Sequence, residues 1–127
     1  MENASEEAKR MVLDLITDLR DNVKIFGGEE ERGDLSCVEF FFQRLHPERV
    51  MQHLVEKLLP HKLKIESRNQ DFFLKNKILF AGLPDERVNH YSKIIATGKS
   101  INNDERETIW LYFDSLLALA EAYKKNK

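Results

Sequence analysis

Few side chains in this sequence are of the types that carry out chemistry. The candidates are one cysteine, Cys37, and four histidines, His46, His53, His61 and His90. Zinc ligands on one helix usually lie three or four residues apart and are joined by thiolates, whereas His46 and His53 lie seven apart and no second cysteine exists. Cys37 falls in the first turn of a predicted helix, where the dipole can lower a thiol pKa, but no flanking signature indicates a catalytic nucleophile. The sequence therefore predicts no catalytic residue, no metal site and no cofactor.

Phosphate-binding and calcium-binding patterns are also absent. The sequence contains no Walker loop and no Gly-x-Gly-x-x-Gly fingerprint, and Gly27-Gly28 follows a predicted helix rather than a strand. The acidic residues 29–31 lack the alternating spacing of an EF-hand loop. The adhesion tripeptide Arg32-Gly33-Asp34 falls on a predicted loop, but such tripeptides are common by chance. These observations favour a protein that is not an enzyme.

Charge is unevenly distributed along the chain. The 127 residues include 20 basic and 22 acidic side chains, which give a net charge of -2. Residues 57–77 carry six basic side chains against two acidic ones, for a local charge of +4. Clustered lysines and arginines are what a phosphate-contacting surface requires. One hypothesis is therefore a nucleic-acid contact, made by Lys62, Lys64, Arg68, Lys75 and Lys77.

The N-terminal part of the sequence predicts one long amphipathic helix over residues 4–26. Asn3 is a suitable cap, and Val12, Leu15, Ile16 and Leu19 recur at helical spacing. Such a helix would be about 33 Å long and could project from a small domain to meet a partner. A polar loop is expected over residues 27–34.

A second predicted helix contains three consecutive phenylalanines. Ser36 and Glu39 have the spacing of a capping box that would begin this helix. Because Phe40, Phe41 and Phe42 together cover about 200° of a helix, they cannot all face one core. At least one of them must contact another element or a second subunit.

The remaining sequence also predicts helices. Proline begins a helix over 47–59 and another at Pro84, residues 60–76 are read as helical, and 77–83 as a buried turn. Asn102 and Glu105 form the capping box of the last helix. No segment shows sustained period-two alternation. We predict an all-α fold, a compact bundle of five or six helices in a single domain over 1–127, with a helical core at 35–125.

The composition also bears on location. A single cysteine cannot form an internal disulfide, so a reducing compartment is expected. The first residues are acidic and lack an apolar signal, and the longest apolar runs fall far short of the roughly 20 residues that span a bilayer. We expect an intracellular protein with no membrane contact.

Three segments carry a resemblance to known proteins: residues 71–76 (DFFLKN), 83–88 (LPDERV) and 108–113 (TIWLYF). Over about residues 36–125 the sequence resembles small helical proteins of large nucleocytoplasmic DNA viruses, of the Marseillevirus kind. The resemblance implies a viral origin and a helical fold, but it carries over no functional residue. It also implies a location in the cytoplasm or nucleus of an infected host cell, or in the virion.

The apolar surface points to self-association. The long first helix, the three phenylalanines and the aromatic last helix offer more apolar surface than short helices easily cover. We therefore expect a non-enzymatic viral protein that forms a homodimer and contacts a viral or host protein. The expected contact residues are Ile16, Leu19, Phe40, Phe41 and Phe42. The alternative is the nucleic-acid accessory factor that uses the basic 57–77 segment.

Overall fold

A computed structural model describes residues 3–75 and 78–126, and within these ranges the protein is helical with no β-strand. This confirms the predicted all-α fold. The buried apolar side chains form one connected core. The α-helices are α1 (Ala4–Asn22), α2 (Glu29–Arg44), α3 (Pro47–Leu58), α4 (Lys62–Glu66), α5 (Asp71–Lys75), α6 (Asp85–Thr97) and α7 (Asn103–Lys125).

Helix α1 lies at the centre of the bundle, where it packs against α2, α3 and α7. Asn3 Oδ1 caps it by accepting a hydrogen bond from the Glu6 amide at 2.8 Å. The predicted continuation to residue 26 is wrong, because the chain becomes extended at Val23 and then forms a 3₁₀ turn, Lys24–Phe26. This change of direction brings Phe26 into the core beside Phe80. The helix therefore ends at Asn22 within the bundle instead of continuing as one rod to residue 26.

Helix α2 begins at Glu29, so the predicted polar loop over 27–34 is wrong. Gly28 is the N-cap residue, and glutamates occupy positions 29–31 of the first turn, where carboxylates stabilise the positive end of the helix dipole. The predicted capping box at Ser36 is wrong for the same reason, since Ser36 lies inside the helix. Its hydroxyl instead accepts a hydrogen bond from Arg20 Nη1 at 3.3 Å.

Three other helix starts agree with the prediction. Pro47 lies in the first turn of α3, and His46 Nδ1 accepts a hydrogen bond from the Glu48 amide at 3.3 Å. Pro84 immediately precedes α6. Asn102 and Glu105 form the complete capping box at the start of α7, with hydrogen bonds of 2.7 and 3.0 Å.

The segment between α3 and α6 is more broken than predicted. A 3₁₀ turn, Leu59–His61, leads into α4, and a turn at 67–70 separates α4 from α5. The break falls where Arg68 adopts a left-handed conformation with φ 58°. Beyond it, Phe73 packs on Trp110 of α7 with a ring separation of 4.5 Å. The 3₁₀ turn Ile78–Phe80 then carries Leu79 and Phe80 into the core.

The central position of α1 makes a prediction about stability. Ile16 is fully buried, so Ile16→Ala should lower the free energy of unfolding by roughly 2–5 kcal/mol through lost burial and a residual cavity. Leu111→Ala is the control, because Leu111 is 54% exposed and should cost about 0.5 kcal/mol. Urea unfolding followed by circular dichroism measures both, and equal losses would contradict the central role of α1.

Candidate protein-contact surface on helix α2

Helix α2 has one face in the core and one in solvent. Leu35, Val38 and Phe42 are buried on the inner face. On the opposite face Phe40 is 59% exposed and Phe41 is 36% exposed. The prediction that the three phenylalanines cannot share one core is confirmed.

Phe40 and Phe41 line a shallow depression of about 460 Å³. The Arg44 guanidinium lies over the Phe40 ring at 5.3 Å from its centroid. The ring of Phe41 meets that of the buried Phe42 edge-on, with centroids 5.3 Å apart. The full lining consists of Cys37, Phe40, Phe41, Arg44, Leu45 and Gly82. The surface thus combines two aromatic rings, a cation and an exposed thiol.

Gly82, in the loop before α6, lines the same depression beside Phe41. Its φ of +97° lies in the left-handed region that favours glycine. A Cβ atom at this position would lie only 3.1 Å from Phe41 Cβ. The bare backbone at Gly82 therefore allows the loop to approach Phe41 closely.

Two polar contacts fix the rotation of α2. On the α1 side, Arg20 donates to both carboxylate oxygens of Glu39, at 3.1 and 3.3 Å. On the α6 side, Asp34 Oδ2 accepts hydrogen bonds from Arg87 Nε at 2.9 Å and from the Tyr91 hydroxyl. Arg87 Nη2 also donates to the Tyr91 hydroxyl at 2.9 Å. Because these contacts lie on either side of the helix, they hold Phe40 and Phe41 toward solvent.

Two members of the contact with α6, Tyr91 and Arg87, have pKa values raised by their surroundings. Burial, followed by the neighbouring Asp34 carboxylate, raises the pKa of the Tyr91 hydroxyl well above its ordinary value. The hydrogen bond to Asp34 raises the pKa of the Arg87 guanidinium. Asp34 belongs to the adhesion-like tripeptide, which is helical here and holds α6 rather than forming an exposed loop.

The predicted contact residues divide into two groups. Phe40 and Phe41 are exposed together on α2. Ile16, Leu19 and Phe42 are core residues with at most 1% exposure, so their burial removes them from the contact surface. An apolar stripe at helical spacing has the same sequence pattern whether it faces the core or a partner, which is why these three residues were misassigned.

The predicted basic surface is partly neutralised by acidic residues of α7. Lys62 Nζ lies 3.0 Å from Glu121, and Arg68 pairs with Asp114 at 2.7 Å and with Glu107 at 3.0 Å. The hydrogen bonds to Asp114 raise the pKa of Arg68.

Of the other three members of the predicted basic surface, the structure describes only the Lys64 side chain. Lys64 is half-buried. The Lys75 side chain and Lys77 lie outside the described residues. The residues that can be placed do not form one continuous unpaired basic face.

In the part of the chain that the structure describes, the histidines and carboxylates do not converge on a metal site. Among the described residues, no group of three or more His, Cys, Asp or Glu side chains could hold a metal ion. His46 caps α3, and burial lowers the pKa of His53. A second depression of about 340 Å³ between α1 and α7 includes Asp18 and Asp104 in its lining.

No helix within the described ranges has the length and apolar character needed to cross a membrane.

Sequence reasoning missed the residues that position the contact surface. Gly82 and the Asp34–Arg87–Tyr91 contact lie far from the phenylalanines in sequence. The one available signal was Arg44, a cation four residues after Phe40 and therefore on the same helical face.

Comparisons with known proteins add no relative to this picture: no family model matches the sequence, and neither a curated protein nor a solved structure matches it significantly. The functional argument therefore rests on the geometry of α2.

The contact between α2 and α6 is testable by removing one hydroxyl. Tyr91→Phe should lower the free energy of unfolding by about 1 kcal/mol, because a buried hydrogen bond to Asp34 is lost. Asp21→Asn serves as the control. Asp21 is about half exposed and its ion pairs are long, 3.6 Å to Arg32 and 3.8 Å to Arg20, so its change should stay within about 0.5 kcal/mol. Chemical denaturation measures both. A Tyr91→Phe protein as stable as the unchanged chain would show that this contact does not hold α2.

Proposed function

We propose that this chain is a non-enzymatic protein that acts through helix-mediated contacts, with a second copy of itself and with another protein. The observation that supports the proposal is the pair of phenylalanines on the outer face of α2. Phe40 is 59% exposed and Phe41 is 36% exposed, while α2 is held from both sides by polar contacts.

The chemistry of this surface is that of a protein interface. Aromatic residues and arginine are enriched at the centres of interfaces, where truncating them costs the most binding energy. Phe40, Phe41 and Arg44 supply both types within one depression. Covering Phe40 would remove apolar area from water at about 25 cal/mol per Å².

The kind of protein that this chain would contact besides its own copy depends on its origin. From the resemblance of residues 71–76, 83–88 and 108–113 to Marseillevirus-like helical proteins, we further propose a viral protein that acts inside an infected host cell, in the cytoplasm, the nucleus or the virion. Its further partner would then be a viral or host protein. The nucleic-acid alternative is weaker, because Lys62 and Arg68 are engaged by acidic residues of α7.

The proposal predicts a concentration-dependent mass in solution. Phe40→Gln should raise the dissociation constant of the self-associated form at least about tenfold, because a central aromatic contact is worth about 2 kcal/mol. Its fold should be unaffected, since Phe40 is more than half exposed. Leu111→Gln is the matched control, an exposed apolar residue on α7. Sedimentation at low and high salt measures all three proteins.

Two results would contradict the proposal. An unchanged chain that remains monomeric up to several hundred micromolar would exclude self-association through this surface at any strength typical of specific interfaces. Salt-sensitive binding of a labelled oligonucleotide by that monomer would favour the nucleic-acid alternative instead.

A further inference from the structure

The residue types on the outer face of α2 change along the helix, from acidic and small near its start to aromatic and basic near its end. At about 100° per residue, the residues of this face fall within an arc of about 100°. They are Glu30, Gly33, Cys37, Phe40, Phe41 and Arg44. Cys37 lies at the midpoint, seven residues from both Glu30 and Arg44 and four from both Gly33 and Phe41. The face is thus complementary to itself when its direction is reversed.

We propose that α2 binds α2 of a second copy in antiparallel orientation, with the two-fold axis passing beside Cys37. This inference rests on the proposed function and specifies its interface. Antiparallel pairing about residue 37 places Gly33 opposite Phe41 of the second copy. It also places Glu30 opposite Arg44 of the second copy, and each contact occurs twice by symmetry.

Packing supports this alignment. A Cβ atom added at Gly33 would meet nothing within 4 Å, so the chain leaves open space above this residue. Phe41 projects from the same face one helical turn beyond Cys37 and is 36% exposed. A ring seated over a bare glycine lets two helices approach closely, as small residues do at other helix contacts.

Charge supports the antiparallel direction over the parallel one. Within one chain Glu30 Oε1 pairs with Arg87 Nη1 at 2.9 Å, but the Glu30 side chain is 69% exposed and can also meet a second cation. Glu30 lies at the acidic start of α2, and Arg44 is the basic residue of its last turn. Antiparallel pairing brings each carboxylate to a guanidinium, whereas parallel pairing places like charges together and is unfavourable. A partner with a uniform charge would satisfy only one end of this face.

The axis position of Cys37 provides a direct readout. Packed helices have axes about 8–10 Å apart, and each Cα lies about 2.3 Å from its own axis. Two Cys37 Cα atoms facing each other would be roughly 3.4–5.4 Å apart, which overlaps the range of about 4.4–6.8 Å for disulfides. Diamide accepts the two hydrogens released as two thiols form one disulfide, so it should link the copies covalently.

The first test changes Gly33. Gly33→Gln should fold at least as well as the unchanged chain, because the site is open and glutamine is the better helix former. In the dimer this side chain would collide with Phe41 of the second copy, so the dissociation constant should rise tenfold or more in sedimentation. Ala118→Gln, at an exposed position on α7, is the matched control and should leave dimerisation unchanged.

The second test measures the register. Diamide should convert the unchanged chain to a Cys37-linked dimer far faster than it links Cys37→Ser/Ala118→Cys, which reports random collision. A mixture of Cys37→Ser/Gly33→Cys and Cys37→Ser/Phe41→Cys should form mixed disulfides in preference to those of either chain alone.

The outcomes separate the two proposals. Suppose that the protein dimerises and that Phe40→Gln weakens the dimer, but that Cys37 links no faster than random collision and Gly33→Gln has no effect. This result would overturn the antiparallel pairing and leave the proposed function standing. A protein that remains monomeric would overturn both.

Discussion

The fixed rotation of helix α2 is the constraint on which the proposed function depends. Arg20 of α1 donates hydrogen bonds to Glu39. Asp34 accepts hydrogen bonds from Arg87 and Tyr91 of α6. With α2 held in this way, Leu35, Val38 and Phe42 face the core and the neighbouring phenylalanines cannot turn inward. The exposure of Phe40 and Phe41 is therefore a property of the packed structure rather than of a loose surface segment.

The core beneath α2 supports these polar contacts. The chain leaves α1 at Val23, and this turn places Phe26 against the ring of Tyr91 at 5.4 Å. The Phe80 ring also contacts the Tyr91 ring, with centroids 5.2 Å apart. Two aromatic residues therefore position the Tyr91 hydroxyl for its hydrogen bond to Asp34. The early end of α1 and the orientation of α2 are thus linked through one aromatic cluster.

The sequence was sufficient for the fold class and for several helix starts. Asn3, Pro47 and the Asn102–Glu105 pair act over three or four residues, so their effect can be read locally. The start of α2 was misread because three glutamates and a glycine look like a polar loop, although glutamates also favour the first turn of a helix.

The side-chain roles required the tertiary structure. Helical periodicity could not separate Ile16 and Leu19, which are core residues, from a contact stripe. Lys62 and Arg68 looked like a nucleic-acid surface until their partners Glu121 and Asp114, 59 and 46 residues away, came into position. Long-range ion pairs of this kind have no local sequence signal.

The most direct measurement of the central claim is the rate at which a thiol reagent modifies reduced Cys37 as the protein concentration rises. Cys37 is the only cysteine in the sequence and is exposed at the middle of the outer face of α2. If this face binds a second copy, the rate per molecule should be high in dilute solution and should fall severalfold as dimers form. A rate that stays constant from about 1 to 500 μM, a range that spans the weak binding expected of a small interface, would contradict the account.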